Sequence, residues 1–188
     1  MKLKSLVFTI LFLVLGLPVA LSQTFNKNTD LLLANFDLKP DEDDVMAAAA
    51  LASMLKHPDL SGVDYFAVIG TYGDQNHIFI TNGVPDYYNF LFGTENIDWT
   101  NAHANWSESV VRAKNKIIPV LNAGGKVFVQ EAGQSNFTYD VLQAVIAESV
   151  ALTKIQSNVI SVQHSKYNEK NTTESELNWL KKIQSMLK

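Results

Sequence analysis

The run "LLLANFDLKPDEDDVMAAAALASML", residues 31–55, carries both halves of an α/β unit. Its first six residues are apolar but for Asn35 and suit a buried strand. The alanine-rich part reads as a helix, with acids at its start and Lys56 and His57 at its end, as the helix dipole favours. Pro58 stops it. Between strand and helix lie Asp37, Asp41, Glu42, Asp43 and Asp44. Capping explains one or two of these acids: Asp41 suits an N-cap, and Asp44 a box-like partner. Capping does not explain five, because like charges a few ångströms apart repel. A hard divalent cation with oxygen ligands would remove that repulsion. No EF-hand spacing is present, so the residues leave two readings open: a capped, solvated acidic turn, or a metal site.

Outward from this run the alternation repeats. Residues 63–73 read as a second strand turning at Gly70 and Gly73. Residues 78–82 read as a helix start and 85–92 as more helix. Residues 101–125 form an amphipathic pattern ending at Gly124-Gly125, with Pro119 as a kink point. Residues 126–133 and 158–165 are further strands. A helix opens at Asn136 or Thr138, and another at Thr173, where Glu176 completes a capping box; this last helix is expected to run to Leu187. The pattern predicts an α/β fold: an open, mostly parallel sheet with helices on both faces and a Rossmann-like core. Ligands of such sheets bind beyond the carboxyl ends of the strands. The segments 37–44, 71–76, 130–135 and 164–169 all follow strands, and all are polar.

Within them, Gln130, Glu131, Gln134 and Ser135 suit sugar hydroxyls, or equally a polar loop that caps the next helix. His164, Asn168 and Glu169 hold a similar strand-end position, and Asp74, Gln75 and Asn76 another. Trp99 and Trp106 flank His103, for stacking on a sugar or base or for packing against the body of the domain. No nucleophile elbow and no glycine-rich phosphate loop appears.

Composition narrows the classes. The chain has 188 residues, 47% hydrophobic and 18% charged, with net charge −4, as a folded domain requires. No basic run could track a phosphate backbone, so nucleic acid is not an expected partner. Residues 1–22 read as a secretory signal peptide: Lys2 and Lys4, an apolar run, then Ala20-Leu21-Ser22 as a cleavage pattern. The product expected is secreted or periplasmic, begins near Gln23 and keeps no stable membrane span after signal removal. It contains no Cys, so packing or a metal must supply its stability. Asn105, Asn136 and Asn171 open tripeptides of the N-glycosylation pattern.

The acidic run also carries a resemblance. Asp37-Leu38-Lys39-Pro40-Asp41-Glu42-Asp43-Asp44 is similar to the Asp-x-Asp-Pro-Gly-x-Asp-Asp signature of nucleoside hydrolases, matching at Asp37, Pro40, Asp43 and Asp44. It is closer to the Asp-x-Gly-Gly-Asp-x-Asp-Asp loop of an exported bacterial nucleoside-hydrolase-like group sometimes labelled cellulose-binding. There Asp37, Asp41, Asp43 and Asp44 match, and Lys39 and Pro40 replace glycines. "VQEAGQSNFTYDVLQ" (129–143) and "VQHSKYNE" (162–169) resemble later segments of that group, so the likeness spans residues 31–169 in order.

The resemblance implies Ca²⁺ held by Asp37, Asp41 and Asp44. It implies Asp43 as the base that activates water, and a substrate near Asp74, Asn76, Gln130, Glu131, Gln134, His164 and Asn168. Lys39 stands where the enzymes carry a ligand Asp, and Asp41 is the acid able to replace it. Those enzymes are longer, so residues 23–188 read as one domain shortened at its C-terminus. The activity implied is calcium-dependent hydrolysis of ribosyl or other glycosyl bonds, with a small nucleoside or sugar as ligand. The alternative is a catalytically impaired carbohydrate-binding protein using the same crevice. A third reading keeps only a capped helix in a protein of unrelated role. A homo-oligomer is left open.

Overall fold

Leu31–Phe36 (β1) lies at the heart of a six-stranded sheet with Asp64–Ile69 (β2), Trp99–Asn101 (β3), Val127–Ala132 (β4), Val159–Gln163 (β5) and Ser185–Leu187 (β6). The computed structural model describes residues 23–38, 42–73, 83–183 and 185–187, the last three by backbone alone. The strand order is β3-β2-β1-β4-β5-β6, and every pairing is parallel. β1 is paired along its whole length on both sides: Leu31 lies opposite Asp64 and Val127, and Phe36 opposite Ile69 and Ala132. The chain builds outward from β1 to β3, then returns to add β4 on the other side. The order therefore reverses between β1 and β4, the position at which such sheets open a ligand crevice.

The helices are Asp43–Leu55 (α1), Val84–Phe92 (α2), Trp106–Asn122 (α3), Asn136–Ala147 (α4), Leu152–Asn158 (α5), Lys166–Asn171 (α6) and Glu174–Ile183 (α7). Strand side chains alternate between two layers. Leu31, Leu33, Phe66, Val68, Val127 and Val129 join Ile117 of α3, Val141 of α4, Ile155 of α5 and Leu180 of α7 in one buried cluster. Ala34, Phe36, Ala67 and Ile69 join Ala48 and Ala52 of α1 and Tyr88 and Phe92 of α2 in the other. Burial on both faces explains why β1 and β2 read as mainly apolar runs rather than alternating ones. The expected open, parallel α/β sheet with helices on both faces is the observed fold.

Several boundaries differ from expectation. β2 ends at Ile69, because Gly70 turns the chain with φ +75°. Residues 99–101 are strand, paired with Ala67–Ile69, where the amphipathic reading began a helix at 101. α3 starts at Trp106 because Asn105 caps it, its side chain accepting from Glu108 N–H at 3.1 Å. Pro119 is accommodated inside α3. The last helix stops at Ile183, and residues 185–187 pair with β5, which gives its outer edge main-chain partners. The Thr173–Glu176 box is also rewired. Asn136 Nδ2 donates to Thr173 Oγ1 at 2.8 Å and to the Glu176 carboxylate at 2.7 Å, so these residues tie α7 to α4. The signal-peptide residues 1–22 and the helix start expected at 78–82 lie outside the described residues. Among the described residues, no helix is long and apolar enough to cross a membrane.

Candidate functional site

Asp37 is the first residue after β1, and Asp44 stands in the first turn of α1. Asp44 Oδ2 reaches back to accept the N–H of Asp37 at 2.6 Å and of Leu38 at 3.1 Å. These bonds pin a strained turn: Leu38 is buried with φ +52°, a left-handed conformation that costs a non-glycine residue about 1–2 kcal/mol. The Asp37 carboxyl lies near enough to act on that of Asp44. Burial first, and the Asp37 charge second, push Asp44 up to about 8. Asp43 is exposed, and its Oδ1 accepts the Asp44 N–H at 2.9 Å. Glu42 is the N-cap residue by backbone, with no side-chain cap bond. Asp44 thus does part of what a capping acid was expected to do, but toward the turn behind it.

Gly133, just beyond β4, permits this convergence. A Cβ there would stand 2.7 Å from Asp37 Cβ and 2.7 Å from the Thr71 carbonyl. The ends of β1, β2 and β4 therefore meet at the switch point, and no side chain fits between them.

A cleft of about 320 Å³ opens beside the pair, lined by Asp43, Asp44, Ala47, Gln130, Glu131, Ala132, Val162 and His164. Five of the expected site residues thus share one cavity: Asp43, Asp44, Gln130, Glu131 and His164. The Glu131 carboxylate turns away from α1 to the opposite face of the sheet. Its Oε2 accepts from Asn35 Nδ2 at 3.1 Å, and the same amide group lies 3.0 Å from Thr138 Oγ1 of α4. Burial pushes Glu131 up to about 7, against the opposing hydrogen bonds from Thr138 and Asn35. Glu131 Oε1 and Asn35 Oδ1 are buried without a hydrogen-bond partner. His164 is exposed, and its N–H is held by the Glu131 carbonyl at 3.0 Å.

Other expected residues lie apart from this cleft. Gln134 is buried, its Oε1 accepting the Gly73 N–H. Asn168 is buried in α6, its N–H donating to Ser165 Oγ at 3.3 Å. Asp41, Asp74 and Asn76, like Lys39, lie outside the described residues. Trp99 is packed, fully buried against Tyr88 with its indole N–H on Asn89 Oδ1 at 3.1 Å. Asn136 is also buried, so this acceptor tripeptide is closed in the folded chain, whereas Asn105 is exposed.

A second cleft, of about 370 Å³, lies along the same edge beyond β2 and β3. Gly70, Tyr72, Gly73, Ala102, His103 and Trp106 line it. The Tyr72 hydroxyl is hydrogen-bonded to His103 Nδ1. Trp106 is steadied by Asp140, which accepts its indole N–H at 2.8 Å. A Cβ on Gly70 would strike His103 at 2.6 Å. Burial, then the charge of Asp37, raises the Tyr72 hydroxyl above its ordinary value, so the field of Asp37 acts on both clefts. Sequence reasoning did not single out Tyr72. The available signal was the Gly70–Gly73 pair around it, which marks a close backbone approach.

Among the described residues, no three His, Cys, Asp or Glu side chains converge as a metal-holding group. The Asp37–Asp44 pair nevertheless fits a cation in its chemistry: two hard oxygen donors in contact, whose mutual repulsion a positive ion would relieve. Comparison with family models, with curated proteins and with solved structures finds no match.

Proposed function

We propose that this chain is an exported, calcium-assisted hydrolase of ribosyl or other glycosyl bonds, with a nucleoside or sugar as its small-molecule ligand. The observation that carries this reading is the Asp37–Asp44 pair, set together by the Asp37 N–H on Asp44 Oδ2 at the switch point of the sheet, beside a cleft. Two carboxyls this close share either a proton or a cation. Asp37 and Asp44, with Asp41, would hold Ca²⁺. When bound, the ion supplies Lewis acidity toward water and sugar hydroxyls.

The protein's own groups do the rest. Asp43, exposed at the cleft rim, takes a proton from the attacking water. The water oxygen bonds to the anomeric carbon, and the glycosyl bond breaks with its electron pair leaving on the departing group, which takes a proton from solvent as Asp43 returns its own to solvent. Gln130 and His164 orient sugar hydroxyls from the β4 and β5 ends. Tyr72, His103 and Trp106 offer a ring-stacking wall along the same edge.

A carbohydrate-binding protein without turnover is the second reading. One observation favours it: Asp44 Oδ2 is already committed to two backbone amides.

Titration calorimetry with Ca²⁺, and release of free base or reducing sugar from a substrate panel, separate these readings. Activity in wild type that Asp43→Ala lowers by about 10²-fold or more supports the hydrolase. Equal activity in both proteins sinks the mechanism. Sugar binding without release leaves the binding protein. Absence of both a calcium heat and an EDTA effect on melting rejects the metal site.

A further inference from the structure

α1 is apolar on nearly all sides. Its inner face sets Asp44, Ala48 and Ala52 against the sheet, and α2 covers one flank, where the Tyr87 hydroxyl donates to the Val45 carbonyl at 2.9 Å. Its outer face carries Met46, Ala47, Ala50, Ser53 and Met54, all exposed, with Met46 at 69% and Met54 at 57%. A surface helix ordinarily turns charge to solvent. Here no charged residue falls between Asp44 and Lys56. Phe90 of α2, 76% exposed, extends the patch, with the Lys56 ammonium 5.5 Å from its ring centroid.

We propose that this face of α1 packs antiparallel on the same face of a second copy, around a two-fold axis at Ala50. The order of residues is self-complementary about that point. Such an axis sets Met46 against the partner's Met54, Ala47 against the partner's Ser53, and Ala50 against the partner's Ala50. The alanines let the helix axes approach to about 8 Å, while the methionines fill the flanks. Charge selects the direction. Glu42 and Asp43 project at one end of α1 and Lys56 at the other, all exposed, while His57 beside Lys56 is engaged by Asp59, its Nδ1 accepting the Asp59 N–H at 3.3 Å. Antiparallel pairing sets acid against base at both ends, and parallel pairing sets like against like. One helix pair with Phe90 at its margin buries less than the roughly 1,200 Å² of a stable interface, so the dimer is a weak one, with a dissociation constant on the order of micromolar or above. This inference does not rest on the proposed activity, although the face borders the same cleft through Asp43 and Ala47.

Sedimentation equilibrium on the purified protein, from about 1 μM to about 1 mM, tests it. The expected mass rises from one chain toward two. Ala50→Glu lies on the exposed face, so it should melt as wild type does yet remain monomeric. Lys56→Glu should weaken association about tenfold, and the double variant E42K/K56E should restore it. A wild type that stays monomeric at the highest concentration overturns the proposal, as does Ala50→Glu dimerising like wild type. A monomer that co-sediments with phosphatidylglycerol vesicles overturns it in favour of a lipid surface.

Discussion

Asp44 has two duties that point in opposite directions. Its Oδ2 anchors the turn after β1, whereas its charge is opposed by burial and by Asp37. Asp44→Asn keeps an acceptor for the two amides and removes the repulsion. It should therefore be as stable as wild type, or more so, in calcium-free buffer, and lose any response of melting temperature to Ca²⁺. Asp44→Ala leaves two N–H groups without their acceptor and should lower stability by about 2–3 kcal/mol in urea titrations. Glu131 makes a separate prediction. Its folded value of about 7 exceeds the ordinary 4.5, so the folded chain holds the proton more tightly than the unfolded chain. Its contribution to stability should then fall by about 3 kcal/mol as pH rises from about 4.5 through about 7. Glu131→Gln should flatten that slope in urea titrations at about pH 5 and about pH 8, and an unchanged slope would assign it to other groups. The sequence displayed the acids, but not these roles. Asp44 acts through a left-handed Leu38, and Glu131 through Asn35 and Thr138 on other elements.

At the level of elements, the sheet depends on close approach at strand ends. Gly133→Ala would drive a methyl into Asp37 and the Thr71 carbonyl. The expected loss is about 1–3 kcal/mol, visible as a lower melting temperature, together with weaker ligand or calcium binding because the clash lies at the acid pair. β1, β2, β4 and β5 were legible because each is a mainly apolar segment of five or six residues. β3 and β6 were not: three residues are too few to show a period, and their pairing is non-local. The start of α7 was read as a local box, yet its two side chains answer to Asn136, far away in sequence. The uncovered face of α1 was visible as an alanine-rich run, but which side it left open was not.

The proposed calcium site would link ligand binding to folding in the whole molecule. A cation bound only by the folded chain raises stability by about 2.7 kcal/mol at a hundred times its dissociation constant, so calcium should shift thermal unfolding upward and EDTA should reverse the shift. The same scale separates what each level of description contains. The sequence by itself determined the alternation of strand and helix, the burial of both sheet faces and the clustering of polar residues just after strands, because these follow from local hydrophobic pattern and chain direction. Only the tertiary structure decided the strand order and with it the meeting of Asp37, Asp44 and Gly133 at one switch point. It also divided the expected site: Asp43, Gln130 and His164 line the cleft, while Gln134 and Asn168 are buried apart from it and the Glu131 carboxylate faces the opposite layer. Strand neighbours are chosen by packing among segments distant in sequence, and a side chain's face depends on the register so chosen, so no local pattern contains either.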